Sequence, residues 1–98
     1  MIRHIALFKF TDDVTPDGID TLDTTLRGLP ASIDAIEAYT CGRDLGILDG
    51  NWDYAVVADF ASVEAYHEYA NHPDHVAASV NVAKPMMAQS MRVQFASD

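Results

Sequence analysis

Two stretches of this chain, Ile2 to Phe10 and Trp52 to Phe60, are apolar on both of their alternate faces. A strand that alternates apolar with polar residues covers one side of a core and shows its other side to water, whereas one apolar on both sides must be covered twice. In the first stretch Ile, Leu and Phe occupy both faces, interrupted by Arg3, His4 and Lys9. In the second, Tyr54, Val56, Ala58 and Phe60 share one face and Ala55 and Val57 the other. The pair predicts two inner strands of one sheet. With 98 residues, 49% of them apolar, the chain can build one hydrophobic core, and residues 1–98 read as a single folded domain without a disordered tail.

The elements between and after these strands give the order β-α-β-β-α-β. Thr15-Pro16-Asp17 supplies an N-cap, a proline at the first helical position and a first-turn acid, and Ile19, Leu22, Leu26 and Leu29 follow on one helix face. That helix should end near Gly28 and Pro30, with a loop from Ala31 to Ile36. Glu37 to Arg43 reads as a strand, and Gly46, Asp49, Gly50 and Asn51 mark a long hairpin connection to the Trp52 strand. Ser62 caps a helix carrying Val63, Tyr66, Tyr69 and Ala70; a further helical run from Pro73 should stop before Pro85, and Met91, Val93 and Phe95 alternate with Arg92 and Gln94 in a last strand.

This order predicts a ferredoxin-like α+β fold, a four-stranded antiparallel sheet with its helices on one face. Split β-α-β crossovers are right-handed, which puts both helical segments on the same side of the sheet. The other side would then be bare, although both inner strands are apolar there. A second copy packed sheet to sheet, with two-fold symmetry, would cover it, so a homodimer is expected.

Charge and cysteine content narrow the partners. A formal net charge of −9, without a Lys/Arg cluster, argues against nucleic acid and against anionic membrane surfaces. The lone Cys41 can close no internal disulfide and reads as a buried strand residue, so nothing requires an oxidising compartment; Lys9, Asp12 and Asp13 interrupt any signal-peptide-like apolar run, and a cytoplasmic setting is expected. Asp12, Asp13, Asp17, Asp20 and Asp23 read as a solvated acidic edge.

Candidate chemistry concentrates in Tyr66-His67-Glu68-Tyr69-Ala70-Asn71-His72-Pro73-Asp74-His75. Proline disfavours helical geometry in the residue before it, so one helix should end near Asn71 and the next begin at Pro73. His75 then falls in the first turn of that second helix, where the helix dipole opposes added positive charge and favours the neutral, proton-accepting imidazole. Facing Tyr69, it forms a candidate acid–base pair. The competing reading makes His72 the cap, Pro73 the start, and His75 a packing residue that closes the helix junction against Tyr69. His4 lies on the strand face of Phe8, where both, with Tyr54, could line one cavity. His72, Asp74 and His75 lack further ligands for a tetrahedral shell, so neither metal nor cofactor is expected.

Several segments carry a resemblance over almost the whole chain: His4-Ile5-Ala6-Leu7-Phe8-Lys9-Phe10, Leu29-Pro30, Tyr39-Thr40-Cys41-Gly42-Arg43-Asp44, Trp52-Asp53-Tyr54 and Tyr69-Ala70-Asn71-His72-Pro73-Asp74-His75. In these the chain resembles the stress-responsive A/B barrel family, the dimeric α+β barrels called Dabb. The resemblance implies a βαββαβ unit whose sheet closes a barrel across a dimer. The family holds plant stress-related proteins without an assigned reaction and a polyketide cyclase that performs an aldol condensation. The match to that cyclase implies a general base at His75 and an assisting tyrosine at Tyr69. It also implies a pocket histidine at His4, while Tyr54 stands where the cyclase has another histidine and Leu26 near where it has a tyrosine, so the same substrate does not follow.

These residues define the candidate site: His75 and Tyr69 as catalytic, with His4, Tyr54, Tyr66, His72 and Phe8 as substrate-binding. The expected function is binding of a small hydrophobic or aromatic carbonyl or polyketide-like compound, with cofactor-free acid–base catalysis of the aldol, cyclase or enolisation type. The alternatives are a non-catalytic stress-related dimer with a filled interior and a cofactor-free oxygenase. An open cavity of roughly 300 Å³ or more would favour the first.

Overall fold

The computed structural model describes residues 1–97. Strands β1 (Ile2–Phe10), β2 (Ala38–Arg43), β3 (Tyr54–Phe60) and β4 (Met87–Ala96) form one sheet in the order β2-β3-β1-β4, with every neighbouring pair antiparallel. Between them run α1 (Pro16–Arg27), the short α2 (Leu29–Ser32), α3 (Val63–Asn71), α4 (Pro73–Ala78), a π-helical turn (Ser79–Ala83) and the short α5 (Lys84–Met86). This is the ferredoxin-like βαββαβ arrangement, and β1 and β3, the strands apolar on both faces, are its two inner strands.

Local chemistry sets the boundaries. Thr15 Oγ1 accepts from the Gly18 N–H at 3.0 Å, and Ser62 Oγ from the Ala65 N–H at 3.1 Å, two N-caps of about 1 kcal/mol each. The β2–β3 connection turns through Gly46 and Gly50, whose φ values of 75° and 81° are in the left-handed region that glycine enters without Cβ strain.

Register decides which side chains meet the helices. His4 stands opposite Ala58 and Gln94, Ala6 opposite Val56 and Arg92, and Phe8 opposite Tyr54 and Ser90. These residues share the helix-covered face, where Leu22, Leu26, Leu29 and Ile33 join Val56, Ala58, Phe60 and Tyr69 in one buried cluster. Each large aliphatic side chain so buried contributes roughly 1.5–3 kcal/mol. Ile5 and Leu7 lie on the opposite face with Val57 and Ala55 of β3 and Val93 and Met91 of β4. Among the described residues no element covers that face at β4: Met91, Val93 and Phe95 are 47%, 53% and 45% exposed.

Three expectations are corrected. Residues 29–32 are helical, so the loop after α1 is shorter than 31–36. The last helical segment does not stop before Pro85 but runs to Met86. The π-helical turn, in which the Lys84 N–H donates to Ser79 O, sets Pro85 in the first turn of α5, where its missing N–H costs no hydrogen bond. The acidic edge is partly engaged: Asp20 holds Arg43 at 2.9 Å, and Asp23 accepts from the Tyr54 hydroxyl. Among the described residues no helix is long and apolar enough to cross a membrane.

Candidate functional site

A cavity of about 330 Å³ opens between the sheet and the helical layer. Its floor is His4, Ala6 and Phe8 of β1 and Val56 of β3, one wall is Tyr66, Tyr69 and Ala70 of α3 with His75 of α4, and the rim includes Lys84, Met87, Ser90 and Arg92. Tyr39 of β2 and Leu26 of α1 close the inner end.

The break between α3 and α4 places the histidine. His72 adopts φ −63° and ψ 135°, an extended conformation imposed by Pro73, and its Nδ1 caps α4 by accepting from the Asp74 N–H at 3.1 Å. His75 folds back over the end of α3, with Nδ1 3.0 Å from the Ala70 carbonyl oxygen, an acceptor left over at a helix C-terminus. A carbonyl only accepts, so Nδ1 carries the proton and, in the neutral ring, Nε2 is the bare nitrogen. The His75 and Tyr69 rings lie 4.2 Å apart between centroids, tilted by 41°.

Burial pushes the His75 pKa below its usual value, and the charge of His72 adds to this against the opposing Ala70 hydrogen bond. The direction agrees with the expectation from the sequence, but the cause differs. A six-residue α4 supplies little dipole, and desolvation of the imidazolium dominates.

His4 is 5% exposed, and its Nδ1 lies 2.9 Å from Gln94 Nε2. With the amide nitrogen donating, the neutral ring carries its proton on Nε2, the opposite tautomer to His75. Burial, reinforced by the charges of His75 and Arg92, pushes its pKa down to about 4. The cavity thus combines one histidine held as a proton acceptor at Nε2 with one held as a donor.

Tyr69 is buried, and its hydroxyl lies 3.4 Å from that of Tyr39. Burial raises the pKa of both phenols, and the Tyr39 contact opposes this at Tyr69. Either hydroxyl can donate across this contact.

Of the residues singled out from the sequence, the cavity brings together His75, Tyr69, His4, Tyr66 and Phe8. It does not include His72, whose ring is turned to its capping role, or Tyr54, which is 1% exposed beside Phe8 with its hydroxyl bound to Asp23. Tyr39, Lys84 and Arg92 were not anticipated as site residues. For Arg92 the signal was present: strand alternation puts it on the face opposite Met91 and Val93.

The family model that matches residues 2–97 is that of the Stress responsive A/B Barrel Domain, Dabb. The chain is 32% identical over 77 residues to the stress-response A/B barrel domain-containing protein HS1 of Arabidopsis thaliana, covering 76% of this chain and 71% of that protein. A dimeric ferredoxin-like protein of unknown function from Thermobifida fusca superposes with a TM-score of 0.91 at 47% identity, over 98% of this chain and 90% of that one. A hydroxynitrile lyase from Passiflora edulis shares the fold, with a TM-score of 0.86 at 16% identity over 99% of this chain and 93% of its own. The topology, its register and the span of the family match lead to one conclusion: the chain belongs to the stress-responsive A/B barrel (Dabb) family.

Proposed function

We propose that the protein is a homodimer whose subunits each bind a small aromatic carbonyl compound and enolise it, without a cofactor, using His75 as general base. The observation that carries the reading is the Nδ1 to Ala70 hydrogen bond of His75, which leaves Nε2 unprotonated beside Tyr69 on the wall of a cavity of about 330 Å³. In the step, the C–H bond next to the carbonyl breaks and its proton passes to His75 Nε2. The electron pair moves into the new C=C bond, and the carbonyl oxygen becomes an enolate that accepts hydrogen bonds from Tyr69 and from His4 Nε2–H. Such a base is worth ~10²- to 10⁴-fold in rate. Aldol-type carbon–carbon bond formation would follow from the same enolate. A hydroxynitrile lyase shares the fold, which supports the reading at the level of architecture and assigns no residue role here.

The dimer is supported by the apolar open face of the sheet, where Ile5, Leu7, Val57, Met91 and Val93 lie together, and by the dimeric description of the Thermobifida fusca protein. Sheet-to-sheet packing would bury that face.

A second reading rests on the same hydrogen bond. By satisfying the Ala70 carbonyl, His75 joins α3 to α4, and a non-catalytic dimer would need it for that alone. Deuterium exchange separates the two. The protein is incubated in D₂O with phenylacetone and with phenylpyruvate, and loss of the protons next to the carbonyl is followed by NMR. Exchange above the uncatalysed rate, abolished in His75→Gln, supports the enolisation reading; exchange at the uncatalysed rate with both compounds leaves the joint.

A further inference from the structure

The chain carries six Lys and Arg residues against fifteen Asp and Glu, and four of the six are occupied. Arg3 grips Asp59 at 2.8 and 3.1 Å; Arg27 donates to the Cys41 carbonyl at 2.8 Å; Arg43 holds Asp20 at 2.9 Å; and Lys9 lies 5.8 Å over the Trp52 ring. Lys84 and Arg92 form no ion pair among the described residues. Both line the same cavity, on the side of β4 and α5.

Their placement has a structural cause. Arg92 is opposite Ala6 in the β1–β4 register, on the helix-facing side of the sheet, where alternation would otherwise put an apolar residue. Ala6 is small, so the strand leaves space above it instead of a filled layer. Lys84 enters from the turn where the π-helical segment passes into α5. The hydroxyls of Ser79 and Ser90 line the same cavity. In a chain of net charge −9, two cations without carboxylate partners among the described residues line one cavity, where they are available to an anion supplied from outside.

We propose that Arg92 and Lys84 form a carboxylate subsite, so that the compound taken by this cavity is an oxo acid whose carboxylate meets these two cations while its carbonyl faces His75 and Tyr69. The inference rests on the reading of the cavity as a carbonyl-compound site and adds the anionic class of the ligand. The Arg92 charge reaches into the cavity, since it is one of the influences holding His4 neutral.

The test is an NMR titration of the whole protein with phenylpyruvate and with phenylacetone, which lacks the carboxylate. Phenylpyruvate should bind ~10-fold or more tightly than phenylacetone, the scale of one charge-assisted hydrogen bond. Arg92→Gln combined with Lys84→Gln should remove that preference and leave phenylacetone binding unchanged. Both side chains are exposed, so the fold does not depend on them. In the unaltered protein, raising the salt concentration should weaken phenylpyruvate alone. Equal affinity for the two compounds, or a preference that survives the double substitution, overturns the carboxylate subsite while leaving the enolisation reading intact. Failure of both compounds to bind overturns both.

Discussion

The Nδ1 atom of His75 is 3.0 Å from the carbonyl oxygen of Ala70, and this one bond gives the ring both its place and its tautomer. A helix end and a proline break combine to present an imidazole with a bare Nε2 at the edge of a cavity. Replacing His75 by Gln should therefore lower deuterium exchange into a bound ketone by ~10²-fold or more. A loss below about threefold, set against the expected range for a general base, would argue that the ring serves only the joint.

Tyr39 acts through Tyr69. Tyr39→Phe removes the hydroxyl 3.4 Å from Tyr69 Oη and with it a hydrogen-bond partner that positions the Tyr69 phenol. Steady-state exchange kinetics should show kcat falling by roughly 3- to 10-fold, the worth of one hydrogen bond, with KM little changed. Tyr69→Phe should cost more, because the donor itself is lost.

The neutral histidines make stability pH-dependent. His4 has a folded pKa of about 4 against 6.5 in an unfolded chain, so on acidification the unfolded state takes the proton first. Stability from this source is complete above about pH 6.5 and is lost as pH falls toward 4, by roughly 3 kcal/mol for a full separation of those values. His75 contributes in the same direction. Urea unfolding across that range should show a weaker pH dependence in His4→Gln than in the unaltered protein.

Tyr54 offers the converse test. Its hydroxyl is bound to Asp23 and its ring lies beside Phe8, outside the cavity lining. Tyr54→Phe should reduce stability by about 1 kcal/mol and leave ligand affinity and exchange unaltered.

On the open face of the sheet, Val93 is 53% exposed in the isolated chain. In the proposed sheet-to-sheet dimer, Val93→Glu would place a charge in the interface without a partner, a penalty of several kcal/mol. Light scattering should then report the 10.7 kDa monomer where the unaltered protein gives a dimer. A variant that stays dimeric would move the interface elsewhere.

The fold was legible because its strongest signals are local and repeated. Double-faced apolar runs mark β1 and β3, Thr15-Pro16 and Ser62 start α1 and α3, and Pro73 separates α3 from α4. Pro85 misled, since a π-helical turn can absorb a proline that would end an ordinary helix. At the site, His75 and Tyr69 were found because they are near in sequence. Tyr39 meets Tyr69 across 30 positions, a relationship that periodicity does not reveal, whereas Arg92 lies on the face that strand alternation gives it. Tyr54 misled in the opposite way: it shares the Phe8 face, but its hydroxyl is taken by Asp23.

The most direct test of the account is the pH profile of deuterium exchange into phenylpyruvate, measured for the unaltered protein and for His75→Gln. The account predicts catalysed exchange that rises with pH through a single ionisation below the ordinary histidine value of ~6.5, stays high at neutral pH, and is absent from the variant. A profile that His75→Gln reproduces would contradict it.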